Sequence, residues 1–485
     1  MTDTAQPSTN LRGEPPLCVD LDGTLVRTDV LVESWFVLLK RNALSAVLVP
    51  FWIVHGKARL KHEIALRADI DVQTLPYNKA FIDHLYDQHK QGRRLLLTTA
   101  TNEKYANQVA QHLGIFESVM ASDAQSNLSG ERKHQRLVQR FGVGGFDYAG
   151  NANSDLLIFQ SARRAILVEP EPGVERAAKQ VTEVAHYFRS DLTVLRAYLR
   201  ALRPYQWLKN LLVFVPIASA HRLGEPGLLA QGFLAFVAFS LCASSVYLLN
   251  DLIDLPADRA HARKRHRPFA AGAASVKIGL MLVPSLLLAS VGIALWLPPA
   301  FIALLAGYYL LTLSYSLWIK GEVMMDVVIL AALYTMRILA GAAAVSIIPS
   351  FWLLAFSMFL FLSLAMVKRF AELLDLKSSE SESAEGRGYQ VVDLAMVQSL
   401  GAAAGYCAVL VLALYINSED SRVHHVYPEV IWSLCPVLLY WISRMWQVAG
   451  RGQMHDDPLV FALTDRVSLW VGVASVTIVL AANWA

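Results

Sequence analysis

Hydrophobic and polar positions divide the chain near residue 200. Residues 1–200 mix short apolar runs with charged and turn-forming stretches, and residues 205–485 are dominated by long apolar runs. The first pattern predicts a soluble domain and the second an all-α polytopic membrane domain. Nine apolar segments are read in the second part, near residues 207–221, 228–249, 275–296, 299–318, 325–346, 350–367, 396–416, 429–447 and 467–484. The stretch His186–Asn210 sets Leu, Tyr and Trp among regularly placed Arg and Lys, and is read as an amphipathic helix at the interface. Before it, the runs LCVDLDGTL, RRLLLTTAT and FDYAGN read as strands alternating with helical stretches. That alternation predicts a doubly wound α/β fold. The expected plan is a disordered tail over 1–15, an α/β domain over 16–185, a connector helix over 186–206 and a transmembrane domain over 207–485.

Charge adds an orientation. The loop after the second apolar segment holds Arg259, Arg263, Lys264, Arg265 and Arg267. Later loops on the same side hold Lys320, then Lys368, Arg369, Lys377 and Arg387, then Arg444, Arg451 and Arg466. The alternate loops offer Arg222 and Arg422. The basic loops and the N-terminal domain are therefore expected on the cytoplasmic face of a plasma (inner) membrane, with the C-terminus outside. The polar N-terminus lacks the apolar core of a signal peptide. KSSESESAEGRG in the sixth loop reads as a flexible low-complexity stretch. The hydrophobic fraction of 55% suits a membrane protein, and the net charge of +3 says little about partners. No nucleic-acid partner is expected. The four cysteines, Cys18, Cys242, Cys407 and Cys435, have no paired spacing and support neither a disulfide framework nor a cysteine metal site. The apolar run Ser45–Gly56 is too short to span a bilayer. It is read as a buried helix of a cap in preference to a cap face resting on the membrane.

The main candidate chemistry lies in Asn250–Pro268, NDLIDLPADRAHARKRHRP. Asp251, Asp254 and Asp258 follow an i, i+3, i+7 spacing, which puts three carboxylates on one helix face. Such a face suits Mg²⁺, which takes oxygen ligands and bridges to substrate phosphates. The basic cluster after it suits phosphate oxygens. A positive-inside loop explains the Arg and Lys but not three Asp in register. Pro256 falls inside this stretch and is expected to end or kink the helix. A second polar group, Asp326, Tyr334 and Arg337, sits within an apolar run. Ionisable residues there usually face a cavity or an internal ion-pair partner. Asp326 and Arg337 are 11 residues apart, close to three turns, so they share a face.

In the N-terminal part, Asp20 and Asp22 project together from the carboxyl end of the first strand, where paired carboxylates suit Mg²⁺ and phosphoryl chemistry. DLDGT resembles the first motif of the haloacid dehalogenase (HAD) phosphatase superfamily. The resemblance implies a phosphoryl-accepting nucleophile at Asp20 and an acid/base at Asp22. LLLTTAT is similar to the second motif, with Thr99 binding phosphoryl oxygen, and Lys133 in SGERKHQRL stands where the phosphate-stabilising Lys is expected. GNANSDL resembles the acidic fourth motif and retains Asp155, a third metal ligand beside Asp20 and Asp22. Asn151 replaces the Asp that commonly opens that motif, which weakens the metal site. The alternative is a catalytically weak domain kept for docking. The implied fold is Rossmannoid with a helical cap.

NDxxDxxxD followed by RKRHRP resembles the first Asp-rich motif of the UbiA-type intramembrane prenyltransferase superfamily. Within it, LRPYQWLKN, NDLIDLPADRAHARKRHRPFAAG, YSLWIKGEVMMDVVILAALYTMRILAG and DDPLVFALTDR look most like decaprenyl-phosphate phosphoribosyltransferases. Aromatic prenyltransferases of the superfamily usually carry a second Asp-rich motif. Here Asp326 is followed four residues later by Leu330, so that motif is incomplete. The resemblance implies Mg²⁺ held by Asn250, Asp251, Asp254 and Asp258, and phosphate clamped by Lys264, Arg265 and Arg267. Asp326, Tyr334, Arg337 and Lys209 would contact sugar or lipid phosphate. The implied partners are phosphoribosyl pyrophosphate, a polyprenyl phosphate and membrane lipid, in cell-envelope biosynthesis. The HAD-like domain would then remove the 5-phosphate of the product. The alternative is transfer of an isoprenoid chain from a prenyl diphosphate to an aromatic or other small acceptor. A non-catalytic lipid-binding or transport protein is the remaining reading, and it predicts internal repeats.

Overall fold

Six parallel strands order the N-terminal part: β1 (Leu17–Val19), β2 (Leu95–Asn102), β3 (Ser118–Ser122), β4 (Asp147–Gly150), β5 (Arg164–Val168) and β6 (Glu183–Phe188) lie as β3-β2-β1-β4-β5-β6. A computed structural model describes residues 13–41, 45, 48–189, 194–261, 264–378, 388–419, 421, 426–454 and 457–483. The tail expected over 1–15 falls outside as far as residue 12, as do Arg263, Arg422 and the low-complexity stretch 379–387 with Arg387. Leu17, Cys18 and Val19 are fully buried because helices cover both faces of the sheet. Leu17 and Val19 pack with Phe81, Leu85 and Val109 on one face, and Cys18 packs with Leu137, Tyr148 and Phe159 on the other. The alternation follows from the period of two along a strand. Val19 pairs with Leu97 on one side and Ala149 on the other, so Asp20 emerges at the carboxyl end of a central strand. That edge is where ligands of open α/β sheets bind.

Two expectations for this part change. His186–Phe188 is strand rather than the start of the connector helix, because it pairs with Ile166–Val168 of β5. Helix resumes at Val194–Leu202 and passes into 3-10 turns over Pro204–Phe214. The run Ser45–Gly56 is not a buried core helix either. Val49–Val54 is helical and buries only Trp52, which packs with Leu38, Ile64 and Ala68. Phe51, Ile53 and Val54 are turned outward, Val54 at 83% exposure.

The chain divides into two compact units, residues 1–202 with 248–282, and residues 203–247 with 283–485. The first unit thus contains the sheet together with the Asp-rich stretch. The helix Pro226–Ile253 stops at Ile253, and a short helix Leu255–Ala260 begins with Pro256 in its first turn. Proline cannot continue the preceding helix, as expected from its missing N–H.

Among the described residues, six helices are long and apolar enough to cross a membrane: Pro226–Ile253, Val276–Ala294, Pro299–Leu317, Met325–Ala344, Phe351–Ser378 and Val391–Ile416. The pair Pro458–Thr464 and Arg466–Ala482, bent by 77°, makes a seventh if it is one span. Nine spans are therefore more than the structure shows. The segment near 207–221 forms 3-10 turns and the five-residue helix Val215–Ser219. Leu434–Gly450 has 17 residues, below the length of a typical span. In the second unit the helices pack closely through small residues. A Cβ on Gly341 would lie 2.0 Å from the Val213 carbonyl oxygen.

Candidate active sites

Asp20 opens the first site. Its Oδ1 accepts the Leu21 N–H at 2.9 Å and lies 3.0 Å from Lys133 Nζ. Lys133 comes from the helix Glu131–Phe141, is buried, and donates to the Tyr148 hydroxyl at 2.8 Å. The Tyr148 hydroxyl in turn reaches Asp155 Oδ1 at 3.2 Å, and Asp155 Oδ2 accepts the N–H groups of Asn151 and Ala152. Asp22 faces a different set: the Val30 N–H at 2.9 Å and the Thr101 hydroxyl. Thr99 is fully buried within β2, and its hydroxyl accepts the Thr101 N–H. Gly23 has φ +75°, and a Cβ there would lie 2.3 Å from Asn151 Nδ2. Only glycine satisfies both that backbone and that contact.

Burial pushes the Asp20 carboxyl up to about 6, opposed by the nearby Lys133. Burial, reinforced by Asp29, pushes Asp22 up to about 7. Burial also works against Lys133, but Asp20 and Asp155 outweigh it and its pKa rises. Asp20 therefore stands beside a fixed cation, whereas Asp22 keeps a proton more readily. That split suits a nucleophile and an acid. A second cation from the cap, Lys61, donates to the Ala100 carbonyl and to Asn127 Oδ1 at 2.7 Å.

The Asp-rich stretch forms the second site. Arg267 Nη1 lies 3.1 Å from Asp251 Oδ1 and 2.7 Å from Asp258 Oδ2, so one guanidinium joins two of the three carboxylates. Asp254, at the break before Pro256, turns to Lys40 at 2.8 Å. Among the described residues, Asn250 Oδ1 is buried without a hydrogen-bond partner. Lys264 lies in the turn Lys264–His266 with Arg265, which is exposed. Burial raises the Asp258 carboxyl, against the pull of Arg267.

The third group lies in the second unit. Asp457 Oδ2 lies 2.7 Å from Lys209 Nζ and 3.3 Å from Lys368 Nζ, and both Asp457 oxygens accept the Tyr334 hydroxyl at 2.9 Å. Arg337 donates to Asn210 Oδ1 at 3.0 Å and to the Tyr308 hydroxyl at 3.1 Å, with the rings of Phe239, Tyr308 and Tyr334 around it. Lys209 and Lys368 thus face one carboxylate, and Lys209 and Arg337 both lie over the Tyr334 ring. A buried excess of positive charge suits an anion such as phosphate. Asp457→Asn leaves this charge uncompensated and is expected to destabilise the fold by about 3–5 kcal/mol, read as a lower melting temperature in detergent.

Asp326 and Arg337 share a helix but not a network. Asp326 is fully buried and binds the Arg369 guanidinium and the Tyr389 hydroxyl. Arg369 also pairs with Glu372 and donates to the Tyr315 hydroxyl. Asp326 is therefore in an internal ion pair rather than on an open substrate face.

Residues 211–451 match the model of the UbiA prenyltransferase family. A decaprenyl-phosphate phosphoribosyltransferase of Mycolicibacterium smegmatis is 32% identical over 292 residues, 56% of this chain and 90% of that protein. The chain belongs to the UbiA prenyltransferase family. An uncharacterized protein of Sinorhizobium fredii is 34% identical over 461 residues, 94% of this chain and 89% of its own length. A UbiA homolog from Archaeoglobus fulgidus, solved bound to DMAPP and Mg²⁺, covers 59% of this chain and 99% of its own, with a TM-score of 0.45 at 17% identity. The UbiA domain follows an N-terminal domain built on a six-stranded parallel sheet, and the apolar helices make the chain a multi-pass membrane protein.

Among the described residues, no three His, Cys, Asp or Glu side chains converge as a ready-made metal cage. The donors of the Asp-rich stretch still fit Mg²⁺. They are all oxygens, and Asn250 Oδ1 is a buried acceptor that a hard cation would satisfy. Mg²⁺ usually takes one or two carboxylates and completes its shell from water and substrate phosphates. In the N-terminal site, Asp20, Asp22 and Asp155 are likewise oxygen donors, beside the neutral Asn151.

Sequence reasoning missed Asp457 and Lys368, which share the Lys209 network, and Asn210, which holds Arg337. One signal for Asp457 was available. Asp before Pro is a helix-start pattern, and Asp457 caps Pro458–Thr464. Its partners lie 248 and 89 residues away by number, at Lys209 and Lys368, and no local pattern reports them.

Proposed function

We propose that the UbiA domain transfers phosphoribose from phosphoribosyl pyrophosphate to a polyprenyl phosphate, and that the HAD-like domain then removes the 5-phosphate. The observation that carries the donor is the state of Asp326. Its charge is spent on Arg369, so the Asp251–Arg267 stretch is left as the one Asp-rich face for a diphosphate among the described residues. The likeness to a protein named decaprenyl-phosphate phosphoribosyltransferase supports the same donor. Mg²⁺, when bound, neutralises charge developing on the leaving diphosphate. Asn250, Asp251, Asp254 and Asp258 would hold it, and Lys264, Arg265 and Arg267 bind phosphate oxygens. Lys209, Lys368 and Arg337 offer their excess positive charge to the lipid phosphate, with Tyr334 fixing Asp457 between them. A phosphate oxygen of the lipid attacks the anomeric carbon, the bond to diphosphate breaks, and diphosphate leaves with the electron pair.

The product still carries a 5-phosphate. The Asp20 carboxylate attacks that phosphorus, Lys133 offsets charge on its oxygens, and Asp22 gives a proton to the departing ribose oxygen. Water then hydrolyses the aspartyl phosphate. Asp20, Asp22 and Asp155 would hold the Mg²⁺ of this step, with Thr99 on a phosphoryl oxygen. The outward apolar side chains of Phe51, Ile53 and Val54 suit a domain working at a lipid surface. In this reading both reactions run on the cytoplasmic face of the plasma membrane.

Purified full-length protein in liposomes with Mg²⁺, polyprenyl phosphate and labelled phosphoribosyl pyrophosphate is expected to move label into the lipid phase. Turnover of a prenyl diphosphate with an aromatic acceptor, and none with phosphoribosyl pyrophosphate, would replace this reading with prenyl transfer.

A further inference from the structure

The first unit holds a bonded path between its two carboxylate sites. It runs along α1 (Val30–Arg41), whose start is bound to Asp22 through the Val30 N–H. The Gly23 N–H of the DLDGT loop donates to the Thr28 carbonyl at 3.2 Å. The Thr28 hydroxyl donates to Glu33 in the first turn of α1. Glu33 then receives Arg259 in a bidentate pair, both contacts at 2.6 Å. The two side chains are 1% and 5% exposed. Arg259 also donates from Nε to the Ala270 carbonyl at 3.2 Å. It therefore ties the short helix carrying Asp258 to the backbone three residues beyond Arg267. Two further pairs flank this one: Lys40 to Asp254 and Lys277 to Asp29, each at 2.8 Å.

A buried bidentate pair between residues so distant in sequence is a poor way to gain stability alone, because desolvation offsets most of the attraction. Its effect is geometric. The planar guanidinium fixes direction as well as distance. We propose that Glu33 is a positioning residue for the UbiA-type reaction. Through Arg259 it sets the turn that presents Asp258 and Arg267 to the donor diphosphate, so the HAD-like domain is a working part of the transferase. This rests on the reading that the Asp-rich stretch binds that diphosphate.

The test uses the full chain in liposomes, with Glu33→Gln, Arg259→Gln and the charge-swapped pair Glu33→Arg with Arg259→Glu. Glu117→Gln, in an exposed pair with Arg94, is the control. Hydrogen exchange without substrate is followed over residues 255–260 and 264–272. Transfer from phosphoribosyl pyrophosphate is followed as KM and kcat separately. Glu33→Gln is expected to speed exchange in both segments and to raise KM about tenfold, with kcat changed less than about threefold. The swapped pair is expected to recover both. Unchanged exchange and KM in Glu33→Gln overturns the proposal. If the single variants fail to fold, the swapped pair decides: parental KM supports positioning, and a folded swap with a raised KM and fast exchange overturns it. If the parental protein does not use phosphoribosyl pyrophosphate, the donor assignment fails, and the exchange comparison alone decides whether Glu33 orders the Asp-rich turn.

Discussion

Asp258→Asn is expected to lower formation of the lipid-linked product by about 10²–10³-fold, and Asp251→Asn to do the same, with the protein still folded. Both carboxylates meet Arg267 Nη1, and Asn250 Oδ1 is buried beside Asp251 in sequence with no partner. Each substitution keeps the side-chain shape and removes one negative charge. On the proposed reaction the loss falls on the group that departs, because the diphosphate would gain charge as its bond to the anomeric carbon breaks. The expected signature is a lower kcat at saturating donor together with a higher Mg²⁺ requirement, measured by titrating Mg²⁺ against labelled transfer. Equal turnover in parent and Asp258→Asn at every Mg²⁺ concentration would remove this stretch from the reaction.

Asp20→Asn is expected to abolish release of inorganic phosphate from the lipid product, a loss of about 10⁴-fold or more, and to leave the first transfer step running. The amide keeps the volume of the Asp20 carboxylate, a residue only 8% exposed, but cannot form the aspartyl phosphate. It also takes a charge from Lys133, which retains Asp155 at 3.7 Å and the Tyr148 hydroxyl. Phosphate release from a purified, prelabelled lipid product measures this directly. Release at the parental rate in Asp20→Asn would assign the HAD-like domain a docking role instead.

The sheet and its first site were readable because the information is local. LCV is apolar and followed at once by DLDGT, and parallel strands buried on both faces have no other reading. Asp20 and Lys133 were placed by motif, and they meet at 3.0 Å. Three strands were not read: Ser118–Ser122 and Glu183–Phe188 at the edges, which carry no sustained apolar run, and the inner Arg164–Val168. Hydropathy overcounted spans because it measures apolar content and not backbone path. The stretch Pro204–Phe214 is apolar enough, yet it winds as 3-10 turns. At the Asp-rich stretch, Pro256 signalled the break correctly, but Asp254 pairs with Lys40, 214 residues away in sequence. Asp326 and Arg337 were placed on one helix, and the residues that claim them, Arg369 and Asn210, come from other segments. Ionisable side chains in a membrane domain are thus easier to find than to pair.

The most direct test is the mass of the lipid product made by full-length protein from phosphoribosyl pyrophosphate and polyprenyl phosphate with Mg²⁺. Parental protein is expected to yield polyprenyl-phosphate ribose without its 5-phosphate, and Asp20→Asn to accumulate the same lipid with that phosphate retained. A lipid carrying no pentose, or one phosphorylated product from both proteins, would contradict the account.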